Sequence, residues 1–137
     1  MKNIIVVLTL FSSINLCAQD LNCKDFKEGL FVVLADSIYS ESSKYSRKKS
    51  KQIEWGEKGD SIYVNVKYLD DCNWVLTYDS DLNKLDELEE FINASGGMYL
   101  ETKEIRGDTL FYNGILKNDT LPFSQPGAIL KMKSKFK

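Results

Sequence analysis

The feature that most constrains the fold is an alternation of apolar and polar residues in short segments separated by turn residues. In DSIYVNVKYL, apolar or aromatic side chains occupy every second position from Ile62 to Tyr68. Successive side chains of a strand point to opposite faces, so this period predicts a strand with one buried face. Related segments recur at intervals of roughly ten residues: GLFVVLADSIY, KQIEW, NWVLTYD, GMYLETKEI, TLFYNGIL and AILKMKSKF. We predict a mainly β fold of about seven or eight antiparallel strands, arranged as a meander or small barrel.

One segment, SDLNKLDELEEFINASGG, has a helical rather than an alternating pattern. Its aliphatic residues recur at spacings of three or four: Leu82, Leu85, Leu88 and Ile92. Ser80 or Asp81 can cap the start of a helix, and the pair Gly96-Gly97 can end it. The sequence therefore predicts an amphipathic helix over residues 81–93, lying across one mouth or face of the sheet.

Arg106-Gly107-Asp108 matches a tripeptide that many cell-adhesion ligands display. The same order of residue types recurs in KGDSIYV (58–64) and KNDTLPF (117–123). Each has a basic residue, then Gly or Asn, then Asp, then Ser or Thr. Gly and Asn tolerate positive φ, and Asp accepts backbone hydrogen bonds, so each dipeptide predicts a two-residue hairpin turn. We interpret the tripeptide as one of three related turns and not as an adhesion motif.

The first 18 residues, MKNIIVVLTLFSSINLCA, have the pattern of a secretory signal peptide. Lys2 precedes an apolar run, and we expect cleavage after Ala18. Acylation of Cys17, as in a lipoprotein, is the alternative, and the bulky Leu16 argues against it. No second apolar run is long enough to cross a bilayer. The sequence predicts an exported protein, periplasmic or extracellular, with one β-rich domain over residues 19–137.

Loss of the signal peptide would leave two of the three cysteines, Cys23 and Cys72. Oxidising compartments favour pairing in an exported chain, so we predict a disulfide between them, with two buried free thiols as the alternative. Closing a loop of about 50 residues stabilises a fold by roughly 4 kcal/mol through chain entropy.

The composition excludes several kinds of chemistry. Histidine is absent, which removes Ser-His-Asp and Cys-His catalysis and the commonest zinc sites. The two glycine-rich phosphate-binding motifs, GxxxxGK(S/T) and GxGxxG, are both absent from the sequence. Asp70 and Asp71 are adjacent, and we interpret them as flanking a turn because neighbours on a strand point apart. The net charge of −2 gives no general attraction to nucleic acid. We expect no catalytic site, cofactor, metal or nucleic-acid partner.

Aromatic side chains are numerous enough to line an interior cavity: Trp55, Tyr63, Trp74, Tyr78 and Phe111. The same side chains could instead fill the core of a small barrel. Both interpretations remain open at the level of sequence.

Two segments concentrate positive charge. KYSRKKSK (44–51) carries five basic residues and KMKSKFK (131–137) carries four. They are typical of a solvated strand face and of an edge strand that lysines protect from aggregation. If they were neighbours, they would form a cationic surface for an anionic partner.

A three-residue pattern occurs four times: Asp, followed by Ser or Thr, followed by an aliphatic residue. It resembles the acceptor motif for O-glycosylation of exported proteins in Bacteroidetes. The candidate acceptors are Ser37, Ser61, Thr109 and Thr120. Most of these motifs coincide with the predicted turns, which also explain them. An intact mass that shows only the unmodified processed chain would exclude glycosylation.

The segments CKDFKEGLF, QIEW and VKYLDDCNWVLTY resemble a family of small secreted proteins from flavobacteria and related Bacteroidetes. The family reads C-x-x-F-K-x-G-x-F, Q-x-E and D-C-x-(aromatic)-x-L, which here are Cys23, Phe26, Lys27, Gly29, Phe31, Gln52, Glu54, Asp71, Cys72, Trp74 and Leu76. The resemblance supports the cysteine pairing but implies no established activity. Some members carry the name DNA topoisomerase IV, which a short exported chain without a topoisomerase site does not support.

The Gly29-x-Phe31 start of the first strand also resembles the start of lipocalin-like barrels. That likeness implies a small lipocalin-like barrel with one inserted helix. We therefore expect an exported, non-enzymatic protein that binds a small apolar or amphipathic ligand in a barrel cavity, with the helix near its mouth. The alternative is an envelope protein-interaction module that uses outer strand faces and a lysine-rich edge.

Overall fold

The structure is a computed structural model that describes residues 21–36, 42–56 and 59–133. A short 3-10 helix, Cys23–Phe26, precedes the sheet, and one α-helix, α1 (Glu87–Ala94), interrupts it. The predicted signal peptide, Cys17 and Ser37 lie outside the described residues. The strands are β1 (Gly29–Val33), β2 (Ser43–Lys48), β3 (Lys51–Trp55), β4 (Ser61–Tyr68), β5 (Trp74–Tyr78), β6 (Met98–Arg106), β7 (Thr109–Leu116) and β8 (Phe123–Lys131).

The eight strands form a closed antiparallel barrel in which each strand pairs with the next along the chain. The last strand pairs with the first in the register Phe31 to Lys131, Val32 to Leu130 and Val33 to Ile129. The prediction of a mainly β fold with one helix is confirmed. Closure gives every strand an inner and an outer face, so alternate residues point into the barrel.

The prediction of a lysine-rich edge strand at the end of the chain is wrong for the described residues. β8 begins at Phe123, five residues before the predicted segment. It pairs with β7 from Phe123 to Leu130 and with β1 from Ile129 to Lys131. The first basic segment is the strand β2, between β1 and β3. β2 and β8 up to Lys131 therefore belong to a sheet in which every strand is paired on each side, and residues 134–137 lie outside the described residues.

The helix is shorter than predicted and starts at Glu87 instead of residue 81. Asp86 and Glu89 form a capping box, each side chain accepting a hydrogen bond from the other's backbone N–H at 2.9 Å. Asn83 holds the preceding residues in a turn, because its carboxamide exchanges two hydrogen bonds with the Tyr63 backbone. The predicted apolar face is partly wrong, since Leu82 and Leu88 are exposed and Ile92 is buried.

The tripeptide at residues 106–108 forms a hairpin turn, as predicted. Arg106 pairs with Thr109, and Gly107 has a φ of 59°. The other two related motifs are not two-residue turns, because they lie in the longer connections 56–60 and 117–122. In the second, the Asn118 carboxamide oxygen accepts from the backbone of Thr120 and Leu121, which widens the turn.

The end of the barrel that carries the short β2–β3, β4–β5 and β6–β7 turns is closed by the N-terminal segment. Phe26, at the end of the 3-10 helix, is almost fully buried and stacks 6.0 Å from Phe31. The predicted disulfide is confirmed: Cys23 is bonded to Cys72 in the β4–β5 turn. Asp70 and Asp71 lie in that turn, as expected, with Asp71 2.6 Å from the Lys27 ammonium. The disulfide thus ties the closing segment to the barrel.

Removing the disulfide in the Cys23→Ser, Cys72→Ser double variant should lower the free energy of unfolding by about 2–4 kcal/mol. The bond spans 49 residues, so its loss frees a long loop in the unfolded chain. Urea unfolding of both proteins, with and without reductant, measures the effect. Reductant should lower the midpoint of the wild type alone, and an unchanged wild-type midpoint would contradict this account.

A second stability test compares Gly96→Ala with Gly97→Ala, since both glycines have positive φ, 87° and 95°. A Cβ at Gly97 would lie 2.5 Å from the Leu76 carbonyl oxygen, whereas one at Gly96 would meet nothing within 4 Å. Left-handed strain should cost each variant roughly 1–2 kcal/mol. The clash should cost Gly97→Ala about 1–3 kcal/mol more. Equal unfolding midpoints in urea would show that the close approach of α1 to β5 is not rigid.

Candidate functional site

The barrel is filled at its closed end and hollow at the other. The filled half is a cluster of buried side chains: Phe26, Phe31, Tyr45, Val66, Trp74, Leu100, Leu110 and Ile129. The hollow half is a cavity of about 330 Å³ that extends toward the end carrying α1. We refer to it as the barrel cavity. Its volume is at the lower end of the range of about 300–1,000 Å³ that is usual for small-molecule sites.

One wall of the barrel cavity is polar and is formed by β2 and β3. Arg47 and Gln52 are each 2% exposed, and Glu54 is half-buried. The Arg47 Nε donates to the Gln52 side-chain oxygen at 2.8 Å, and the Gln52 amide donates to Glu54 at 2.6 Å. These contacts form a chain from a guanidinium at the floor to a carboxyl group higher on the wall.

The Arg47 guanidinium is surrounded by aromatic rings. Its Cζ lies 4.6 Å from the Trp74 ring centroid, 5.2 Å from that of Tyr45 and 5.8 Å from that of Phe31. Its Nη1 donates to the Phe26 carbonyl at 3.1 Å. Cation–π contacts stabilise a desolvated guanidinium, so the arrangement fixes a positive charge at the boundary between filled and hollow halves.

Three buried polar atoms have no hydrogen-bond partner among the described residues: Tyr45 Oη, Arg47 Nη2 and Trp74 Nε1. Tyr45 and Arg47 line the barrel cavity, whereas Trp74 lies in the filled half. The hydroxyl of Tyr68 lies 2.9 and 3.1 Å from the Lys27 and Lys49 carbonyl oxygens. Desolvation raises the pKa of Tyr68, and the Arg47 charge and a hydrogen bond with Arg47 oppose that shift. Buried polar groups are rarely left without partners, so Tyr45 and Arg47 bring two unmet donors to the floor of the cavity.

The wall across the barrel from β2 and β3 is mainly apolar. It is formed by inward side chains of the later strands, including Leu76, Met98, Leu100 and Ile129. Gly114 and Gly127 also line it, and Gly114 leaves space because it has no side chain. The Tyr112 ring lies against Gly127, where a Cβ would come within 2.4 Å of it. Buried Gln125 on β8 also lines the cavity, so this side is more apolar than the β2–β3 wall without being wholly apolar.

The mouth of the barrel cavity combines apolar and acidic residues. Exposed apolar side chains occur in its connections or at the start of β8: Leu34, Leu82, Leu88, Leu121 and Phe123. Among the described residues, the four connections at this end contain nine Asp or Glu and two Lys. The mouth is therefore negatively charged, and apolar groups lie beside it.

The five aromatic residues predicted to line a cavity lie in three different places. Tyr78 lines the barrel cavity, and Trp74 is buried in the filled half. The prediction is wrong for the other three, which alternate with inward residues and lie on the outer face: Trp55, Tyr63 and Phe111. On that face the Arg106 guanidinium stacks 4.4 Å from the Phe111 ring.

Sequence reasoning missed the polar wall. Arg47 lies in a run of basic residues that indicates solvent exposure, and only its alternation with Lys48 separates the two faces of β2. Gln52 and Glu54 appeared only in the family resemblance. A usable signal was the shared spacing of Tyr45-x-Arg47 and Gln52-x-Glu54, which puts each pair on one face of a strand.

The candidate glycosylation residues that the structure describes lie at or near turns. Ser61 and Thr120 are exposed, and Thr109 is half-buried beside Asp108. Their modification remains a prediction.

No protein family, curated protein or solved structure matches the chain. Within residues 21–36, 42–56 and 59–133, no group of three or more Cys, Asp or Glu is placed to hold a metal ion. No α-helix in the same ranges is long and apolar enough to cross a bilayer.

Burial changes the proton affinities of the cavity wall. Desolvation raises the pKa of Glu54 above its ordinary value, against the lowering effects of the Gln52 hydrogen bond and the Arg47 charge. Desolvation also raises the pKa of Tyr45, and the Arg47 charge opposes that shift. The Tyr45 hydroxyl is therefore protonated at neutral pH and can donate a hydrogen bond.

Replacing Glu54 with Gln should stabilise the protein more at high pH than at low pH. The raised pKa means that the folded state favours the protonated carboxyl group, so the wild type loses stability as pH rises through that pKa. Gln cannot ionise, so the melting temperature of the variant relative to wild type should increase between about pH 5 and about pH 8.

The matched control is Glu104→Gln, which removes an exposed carboxylate paired with Arg106 on the outer face. Its effect on the melting temperature should be small at both pH values, because exposed ion pairs contribute little. A Glu54→Gln difference that falls with rising pH would show that attraction to Arg47, and not burial, dominates at Glu54.

Proposed function

We propose that this protein is a non-enzymatic binding protein that takes a small amphipathic molecule into the barrel cavity. The observation that carries the proposal is a hollow half-barrel with a polar wall on β2 and β3 facing a mainly apolar wall on the later strands. Such a lining matches a molecule that has one polar end and one apolar part.

The packing of the barrel supports the interpretation that the empty space is a ligand site and not a packing defect. Protein interiors are normally close-packed, and voids larger than a water molecule are few. Here the closed half follows that rule, with Trp74 and Phe31 fully buried. The open half keeps space at Gly114, an inward position without a side chain, whereas the Tyr112 ring occupies the space at Gly127.

We also propose that the protein works outside the cytoplasm. The Cys23–Cys72 disulfide supports this location, because such bonds persist in oxidising compartments. The signal-peptide pattern of residues 1–18 supports it as well.

A second candidate function is docking of an envelope partner at the cavity mouth. It is favoured by the exposed side chains Leu82, Leu88 and Leu121 in the connections at this end of the barrel, since exposed apolar surface often marks interaction sites. In that case substitutions at the mouth would abolish partner binding, while filling the barrel cavity would have no effect.

Replacing Gly114 with Leu should block ligand binding without unfolding the barrel. A Cβ at Gly114 would make only ordinary contacts, 3.6 Å from the Met98 sulfur and 3.7 Å from Tyr112, and the rest of the side chain would enter the cavity. Binding of decanol or decanoate, measured by calorimetry, should weaken at least about tenfold, which corresponds to 1.4 kcal/mol.

Asn113→Leu is the matched control, because Asn113 is the neighbouring residue on β7 and alternates with the inward positions. It adds the same side chain on the outer face and should leave binding unchanged. Wild-type affinity in a folded Gly114→Leu protein would place the ligand outside the barrel cavity.

A further inference from the structure

The floor of the barrel cavity has hydrogen-bond donors without acceptors. Tyr45 and Arg47 are both 2% exposed, and both line the cavity. Neither Tyr45 Oη nor Arg47 Nη2 has a hydrogen-bond partner within the described part of the chain. Because the proposed function already assigns a ligand to this cavity, the unmet donors indicate the chemistry of its polar end.

We propose that the ligand is an amphiphilic acid whose carboxylate binds at the floor of the barrel cavity, accepting hydrogen bonds from Arg47 Nη2 and Tyr45 Oη. This inference rests on the proposed function and specifies its ligand class. Arg guanidinium groups bind carboxylates through charge-assisted hydrogen bonds, which are about twice as strong as neutral ones.

The alternatives for the polar end fit the floor less well. Guanidinium nitrogen can only donate, so an ammonium group would leave Arg47 Nη2 without an acceptor and place two positive charges together. A hydroxyl oxygen could accept from both donors, but it carries no charge to balance the guanidinium. A carboxylate supplies both the acceptor atoms and the opposite charge.

The carboxyl group of Glu54 does not already fill this role. No carboxylate lies within ion-pair distance of Arg47 among the described residues, and Glu54 reaches Arg47 only through Gln52. Desolvation also raises the pKa of Glu54, which favours its neutral form and reduces its repulsion of a second carboxylate.

The apolar part of the ligand would point toward the mouth. Above the floor, the cavity is lined by Leu76 and Met98, and Leu34 and Phe123 lie at its opening. A head-down orientation therefore places the charged group against the unmet donors and the hydrocarbon chain against apolar side chains. The reverse orientation would bury a chain against Arg47 and leave the donors unmet.

The acidic mouth repels an entering anion, so taken alone it predicts weak binding of a carboxylate. Its charges lie in connections with an exposed surface, where salt screens them over about 8–10 Å. Arg47 acts at contact in a desolvated position, where electrostatic interactions are stronger. We therefore expect the floor to set affinity and the mouth to slow association at low salt.

The test compares three ligands with the same hydrocarbon chain, decanoate, decanol and decylamine, by calorimetry on the disulfide-bonded protein. Decanoate should bind about tenfold more tightly than decanol, as expected for a hydrogen bond to a charged group. Tyr45→Phe should weaken decanoate binding about tenfold and leave decanol binding nearly unchanged. Arg47→Met should have a larger effect on decanoate.

Two outer-face substitutions are the matched controls. Tyr63→Phe removes a hydroxyl from β4, and Lys48→Met removes a positive charge from β2 next to Arg47. Neither should change decanoate binding. If Arg47→Met does not fold, Tyr45→Phe decides the matter, since it removes only the hydroxyl from a side chain that otherwise keeps its packing.

The outcomes separate this inference from the proposed function. Equal affinities for decanoate and decanol, both weakened by Gly114→Leu, would overturn the carboxylate assignment and leave cavity binding intact. Tighter binding of decylamine would overturn it in favour of the acidic mouth. Absence of binding by all three ligands would overturn both proposals. If the wild type prefers decanoate, and Tyr45→Phe abolishes that preference while Tyr63→Phe retains it, the result would support both proposals.

Discussion

The pairing of β1 with β8 is the constraint on which the rest of this structure depends. Three residue pairs, from Phe31 with Lys131 to Val33 with Ile129, close the sheet into a barrel. Closure removes the edge strands and gives each strand one enclosed face. The enclosed face then determines which side chains meet: Arg47 and Gln52 lie inside, and the alternating lysines of β2 lie outside.

The interior is divided because the two ends of the barrel are built differently. At the closed end, the 3-10 helix carries Phe26 under the barrel, and the disulfide holds that segment in place. Stacked rings and Arg47 fill this half. At the other end the connections are longer, and the glycine at position 114 withholds a side chain from the interior. A guanidinium at the boundary thus meets both a packed core and a cavity.

Local patterns predicted elements well where one interaction dominates. Alternation located most strands, and the Gly107 turn followed from the φ that glycine tolerates. Alternation was less useful for β2, because its outer lysines hid the inward Tyr45 and Arg47. The helix start was misplaced because leucine spacing extends back to Leu82, whereas the hydrogen bonds of Asn83 to a distant strand hold those residues in a turn.

The sequence by itself determined the β class and the presence of an α-helix among the strands, because strand period and helix caps act within short segments. It predicted the pairing of Cys23 with Cys72, which the structure then confirmed. Only the tertiary structure decided that the barrel closes, that half of it is hollow and that Arg47 lies at the floor of the cavity. These properties depend on contacts between residues far apart in the chain, such as the 4.6 Å approach of Arg47 to the Trp74 ring. A basic residue has the same local pattern on either face of a strand, and its burial is fixed only when the sheet closes around it.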